Sequence, residues 1–180
     1  MPMTPEAFQE LFAAFEESAF RLQLLPKYDV AGERSELADY HSGAPAPDRT
    51  TNTWLATMAS QVAHGRTWTN VHLLPERLTP YLQYVIDWWY VDQARLGAQV
   101  LFVPSAFAGE LGALAAFDFW LFDDRTLVRM RYGKAGRFLG AEEDATPASL
   151  ENSRRARDFA LRHAIDLRRV LADRRGGRLV

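Results

Sequence analysis

The sequence predicts one α/β domain over residues 1–180: a mixed sheet of about five or six strands flanked by helices, with long N- and C-terminal helices. Three observations carry this. Residues 117–143 read as three short strands joined by tight turns (FDFWLFDD, RTLVRMRY, GKAGRFLGAEE). The first of these is apolar on both faces, Phe117, Phe119 and Leu121 on one and Trp120 and Phe122 on the other, which places it inside a sheet covered on both sides. A strand, helix, strand succession over residues 67–103 reads as a βαβ unit with parallel strands.

The elements follow in order. Thr4 and Pro5 open a first helix whose Phe8, Leu11, Phe12 and Phe15 recur at helical spacing. Residues 19–25 alternate loosely and stop at Pro26, as a strand does. Residues 32–40 suit a short helix closed by Gly43, and GAPAPDRTT, with its two prolines and a glycine, is a surface loop. A second helix, 54–63, turns Trp54, Leu55, Met58 and Val62 inward and ends at Gly65. The strand 67–74 buries Trp68, Val71, Leu73 and Leu74. Thr79 and Pro80 open a third helix carrying Tyr81, Leu82, Val85, Trp88 and Trp89, and an apolar strand, 99–103, follows Gly97 and stops at Pro104. Finally Thr146 and Pro147 open one last helix, its stripe running from Ala156 through His163 to Leu171 and its end marked by Gly176 and Gly177.

Bulk properties narrow the class. A chain of 180 residues with 48% hydrophobic and 24% charged residues builds a core without staples, and the absence of cysteine removes disulfides, thiolate metal sites and cysteine nucleophiles. No run approaches the ~18 apolar residues of a membrane span, and the acidic helical start does not resemble a signal peptide, so a cytoplasmic location without membrane contact is expected. A net charge of -2 conceals an acidic head and a basic tail that runs to Arg178.

Catalytic signatures are missing: no G-x-S-x-G, phosphate loop, H-E-x-x-H or G-x-G-x-x-G occurs, and His41, His64, His72 and His163 have no ligand spacing. No catalytic residue, metal or cofactor is therefore assigned. His72 and His163 read as core histidines. Asp118, inside the aromatic strand, reads first as half of a structural ion pair with Arg129 or Arg131, and second as a general acid or base. Asp123 and Asp124 shape the turn that follows. The rings of Trp54, Trp68, Tyr81, Tyr84, Trp88, Trp89, Tyr90 and Trp120 suit a core, a dimer face or a pocket wall. Trp88, Trp89 and Tyr90 are consecutive on a helix, so at least one should face outward as an interface or ligand wall. The last helix carries a basic face, Arg154, Arg155, Arg162 and Arg169, suited to an acidic partner or phosphates. It lacks interleaved aromatics, so sequence-specific nucleic-acid reading is not expected.

The motifs F-x-x-L-F at Phe8 to Phe12, the glycine at Gly97, D-F-W-L-F-D-D at Asp118 to Asp124 and G-R-x-x-G-A-E at Gly136 to Glu142 resemble an uncharacterised family of small actinobacterial proteins, a numbered domain of unknown function. Ala98 stands where that family carries an acid after the glycine, so any role of that carboxylate does not carry over. The resemblance implies company with helix-turn-helix regulators and no agreed catalytic residue. The element order is also similar to half of a phospholipase-D-like domain, whose His-x-Lys signature is missing here.

Two functions are expected from this reading, with non-specific nucleic-acid binding through the basic tail as a third. The first is a non-enzymatic regulatory or interaction protein, its partner a protein such as a transcriptional regulator, or a second copy of itself in a homodimer. Its contacts would be the Trp88, Trp89 and Tyr90 ridge and the basic helix. The alternative is a small enzyme or ligand-binding protein of specialised metabolism with an aromatic pocket and Asp118, Tyr81 or Arg129 as polar groups.

Overall fold

The computed structural model describes residues 1–177, a range that leaves out Arg178 at the end of the basic tail. In chain order the elements are α1 (Pro5–Ala14), β1 (Ser18–Gln23), α2 (Arg34–His41), α3 (Thr53–Ala63), β2 (Thr67–Leu74), α4 (Pro80–Tyr84), a π-helical segment (Val85–Tyr90), α5 (Val91–Arg95), β3 (Gln99–Pro104), α6 (Ala108–Leu114), β4 (Asp118–Phe122), β5 (Thr126–Tyr132), β6 (Phe138–Glu143), α7 (Pro147–His163), β7 (Ile165–Asp166) and α8 (Leu167–Arg175). The seven strands form one sheet in the order β6-β5-β4-β1-β2-β3-β7. Parallel pairs join β1 to β2 and β2 to β3, and the remaining pairs are antiparallel. The mixed sheet with helices on both faces is as expected, with one strand more than the upper expectation.

The extra strand comes from a break in the last helix. The apolar stripe suggests one helix to Leu171, but α7 stops at His163 and Ile165 and Asp166 pair with Phe102 and Leu101 of β3. Asp166 then caps α8, its carboxylate accepting the Arg169 N–H at 2.8 Å. An apolar stripe fixes which side faces the sheet and does not register a two-residue break. Nor does the sequence reading assign anything between Pro104 and Phe117, where α6 forms. Gly109 and Gly112 dilute its periodicity, and buried Leu111 docks it on the sheet.

The caps are mostly as expected. Thr4 accepts from the Ala7 N–H and Thr79 from the Leu82 N–H. Thr146 makes no such bond; instead its own N–H donates to Asp144 Oδ1 at 2.9 Å. At the β4–β5 turn Asp123 and Asp124 both adopt left-handed backbone, with φ of 50° and 57°, a conformation Asp tolerates better than bulkier residues. The Asp123 carboxylate also gathers the N–H groups of Glu16, Glu17 and Ser18, each at 2.8 Å, and so ties the end of α1 to the start of β1.

Every residue of β4 is buried. One face of the sheet, with Phe20, Leu22, Val71, Val103, Phe119 and Leu121, packs against α6 and α7. The other face carries two apolar clusters. α1 and α3 pack over Ala19, Trp68, Trp120 and Phe122, while α4, the π-helical segment and α8 pack over Val100 and Phe102. Between these two helical groups the same face bears polar side chains: Arg21, Gln23, Asn70, His72 and Asp118. That strip is where the structure leaves room.

Candidate functional site

A cleft of about 470 Å³ opens over the polar strip, a size within the range of small-molecule sites. Strand β1 contributes Arg21 and Gln23, β2 contributes Trp68 and Asn70, β4 contributes Trp120, and β5 contributes Met130 and Tyr132. Trp54, Trp89, Tyr90, Gln93, Tyr81, Tyr28 and Glu33 close the sides. Alternation along the strands explains why these residues meet: Arg21 is the register partner of both Asn70 and Trp120, so all three side chains rise from one line across the sheet.

Arg21 is the chemical centre. Its residue is only 7% exposed, its Nη2 donates to the Tyr132 hydroxyl at 2.8 Å, and its guanidinium lies 5.3 Å from the centre of the Trp120 ring. Its counter-ion is Asp118, at a loose 3.9 Å. Burial would lower the Arg21 pKa, yet Tyr132, Asp118 and Tyr28 outweigh it and hold the group charged. Asp118 lies just below the cleft floor, accepting from the Leu24 N–H at 3.0 Å and from the Tyr28 hydroxyl. Burial pushes its pKa up against the pull of Arg21, Tyr28 and Leu24.

His72 sits deeper on the same strip. Its Nε2 lies 2.8 Å from the Leu25 carbonyl, which can only accept, so that nitrogen carries the proton and Nδ1 accepts from the Tyr90 hydroxyl at 2.7 Å. Burial first, then the nearby Arg21, pulls its pKa to about 4 despite the Leu25 bond. It is a neutral core histidine, as its sequence setting suggests. His163 is held instead between the rings of Phe107 and Phe159, at 4.3 and 4.4 Å.

Two further polar groups complete the cleft. Asn70 donates Nδ2 to Gln93 at 3.3 Å, while its Oδ1 is buried without a partner. Glu33, on the side wall, accepts from the Tyr81 hydroxyl at 2.9 Å; burial drives its pKa up, with Tyr81 opposing. Tyr28, Tyr81, Tyr90 and Tyr132 are all shifted upward, burial being the largest cause in each. Near neutral pH these phenols are donors and not bases. Among the described residues no group of three carboxylate or histidine side chains is arranged to hold a metal ion.

The structure sorts the residues singled out from sequence. It brings Tyr81, Trp89 and Tyr90 into the cleft with Trp54, Trp68 and Trp120, and Asp118 directly beneath. It does not expose a ridge. Trp88 is 7% and Tyr90 2% exposed, and Trp89 is half-buried. In a regular α-helix three successive rings fan outward, but here the turn is π-helical and both outward directions are covered. Tyr40 of α2 packs edge-on against Trp88 at 5.3 Å, and Arg49, from the proline-rich loop, stacks 4.2 Å over Trp89. Arg49 also bonds Glu36 and the Trp88 carbonyl, so that loop is a clamp over the helix.

Arg129 and Arg131 do not pair with Asp118. The register sets Asp118 opposite Met130, which turns both arginines to the other side of the sheet. There Arg129 meets Asp144 at 2.7 Å and the Phe117 ring at 4.0 Å, and Arg131 meets Glu142 at 2.6 Å. On the basic helices, Arg154 donates to the Asp124 carbonyl at 3.0 Å and the exposed Arg169 pairs with Asp173 at 2.9 Å; Arg155 and Arg162 are exposed too.

Sequence reasoning missed Arg21, Tyr28, Glu33, Asn70, Gln93 and Tyr132. One signal was present: Arg21 and Gln23 alternate on β1, and Asn70 and His72 on β2, as polar residues at period two inside strands that are otherwise largely buried. A second cavity, about 540 Å³, lies under the proline-rich loop against α3 and α5. Its Asp92 pairs with Arg95 at 3.1 Å and with Arg49 at 3.8 Å, both of them lining the same cavity.

No curated protein matches this chain. Among solved structures it is similar to Nuc from Salmonella typhimurium, described as a phospholipase D family member, at 12% identity and a TM-score of 0.47, over 91% of this chain and 93% of that one. A likeness of that degree says nothing of chemistry. Over residues 6–172 the sequence matches one family, and the chain belongs to it: DUF6879, a domain of unknown function.

Proposed function

We propose that this protein binds a small planar, polar molecule in the Arg21 cleft, as a non-enzymatic binding protein. The observation that carries the reading is a buried guanidinium, 7% exposed, on the floor of an aromatic-walled cavity of about 470 Å³. Aromatic walls favour a flat body, and a charge held in low dielectric, with its counter-ion at 3.9 Å, rewards a ligand acceptor. Binding is favoured over acid–base catalysis because His72 is neutral with both nitrogens engaged, and the four phenols are held protonated. Asp118, the residue suggested as an acid or base, is committed to Tyr28, Leu24 and Arg21.

The regulatory setting implied by the family resemblance fits this reading: a cytoplasmic actinobacterial protein whose occupied state is reported to a protein partner such as a helix-turn-helix regulator. The exposed Arg155 and Arg162 on α7 are the proposed contact. Isothermal titration against planar heteroaromatics and aromatic anions tests the binding. At least one is expected to bind and to change tryptophan emission, because Trp54, Trp68, Trp89 and Trp120 line the cleft. Arg21→Gln paired with Asp118→Asn, which removes both charges together, should abolish that signal. Silence across the whole panel would overturn the reading.

A further inference from the structure

The cleft floor carries a donor beside an acceptor, and that pattern specifies a ligand edge. Arg21 and Asn70 are register partners on adjoining parallel strands, about 4.8 Å apart across the sheet. Arg21 presents guanidinium N–H donors. Asn70 is 7% exposed, spends Nδ2 on Gln93, and leaves Oδ1 buried with no partner. Buried acceptors in folded proteins are nearly always satisfied, so one left without a partner on a residue that lines a cavity points to a donor supplied from outside the chain.

A carboxylate or a phosphodiester, which has no proton to give, does not answer both groups. It would satisfy Arg21 but set its own lone pairs against Asn70 Oδ1. Resting on the binding role proposed above, we infer that the ligand is a planar heterocycle with a lactam edge, a ring carbonyl adjacent to a ring N–H, as in oxo-pyrimidines, oxo-purines, pterins and flavins. The carbonyl accepts from Arg21 and the N–H donates to Asn70 Oδ1. The ring plane lies among Trp68, Trp120, Trp89 and Tyr90, which all border the same space. Trp89 is a firm wall because Arg49 covers one of its faces at 4.2 Å and its indole N–H is held by Glu36 at 3.1 Å and Tyr84 at 2.8 Å. Glu33, already holding the Tyr81 hydroxyl, offers its second carboxylate oxygen to hydroxyl or amine substituents on the ring's far side.

The test is titration of the full chain with uridine, guanosine, a pterin and riboflavin, each beside a form methylated at the lactam nitrogen, together with benzoate and indole-3-acetate. The expected result is binding by at least one lactam and a loss of about tenfold or more on methylation, since a site built to bond an N–H rejects the analogue lacking it. Asn70→Leu should erase that discrimination, and the wild-type comparison of methylated and unmethylated ligands stands without it should the variant not fold. Binding by the aromatic acids, or by lactams indifferent to methylation, overturns the lactam assignment and leaves the cleft as a binding site. Silence from every compound removes both.

Discussion

The Tyr28 hydroxyl and the Asp118 carboxylate are bonded to each other beneath the cleft floor, 90 positions apart in the chain. Tyr28 arrives there on the segment between β1 and α2, and Asp118 arrives at the start of β4. The bond thereby joins the loop that walls the cleft to the strand that supports Arg21.

Replacing Tyr28 by Phe keeps the ring and removes the donor. The buried carboxylate then loses one of its bonds, at a cost of about 1.5–3 kcal/mol. Urea unfolding should show a lowered midpoint with an unchanged slope, and the best cleft ligand should bind more weakly as the loop loosens. A midpoint equal to the parent's would show that the bond is energetically idle.

His72 predicts an acid-side loss of stability with a definite sign. Its folded pKa, about 4, lies below the unfolded value of 6.5. Between those values the unfolded chain binds the extra proton. The stabilisation is therefore complete above pH 6.5 and disappears as pH falls toward 4, with a span of about 3 kcal/mol. Glu33 and Asp118, raised by burial, act in the opposite sense at the lower end. The difference between the parent and His72→Gln isolates the imidazole: it should be flat above pH 7 and shrink through the window. A pH-independent difference would refute the assignment.

Asp123 should be a stability residue with no part in binding. Asp123→Ala removes the acceptor of three backbone N–H groups, two of them exposed to water, and should cost about 1–2 kcal/mol, whereas Asp123→Asn keeps one acceptor oxygen and the left-handed backbone and should cost about 0.5–1 kcal/mol. Ligand affinity in both should match the parent. A binding defect without a stability defect would move Asp123 into the site.

Gly136 is the clearest backbone requirement. Its φ is +80°, and an added Cβ would meet the Lys27 carbonyl oxygen at 2.4 Å, on the segment that delivers Tyr28. Gly136→Ala should lower the melting temperature by the equivalent of at least about 1–3 kcal/mol and disturb the cleft as well. Unchanged melting would mean that the two segments separate without penalty.

Most of the scaffold was legible in the chain because local rules set it. Apolar runs bounded by glycine, proline and turn residues marked six strands, and the Thr-Pro pairs before α1 and α4 marked the starts of those helices. The double Asp gave the turn after β4. Period and capping chemistry act over a few residues, so a reading of neighbours recovers them. The break before α8 escaped because a short strand and its capping Asp166 leave the apolar stripe intact.

The site was a matter of tertiary structure. Tyr81, Trp89, Tyr90 and the other cleft tryptophans were visible as aromatics, but their cover came from distant segments: α1 and α3 over Trp68 and Trp120, and Arg49 over Trp89. The partner of Asp118 was misread as Arg129 or Arg131 because sequence proximity favoured the next strand. Register turned those two to the opposite face and set Arg21, from β1 on the other side, beside it. Periodicity says which residues of one strand share a face; which strands become neighbours, and what meets across them, is settled only when the whole sheet closes under its helices.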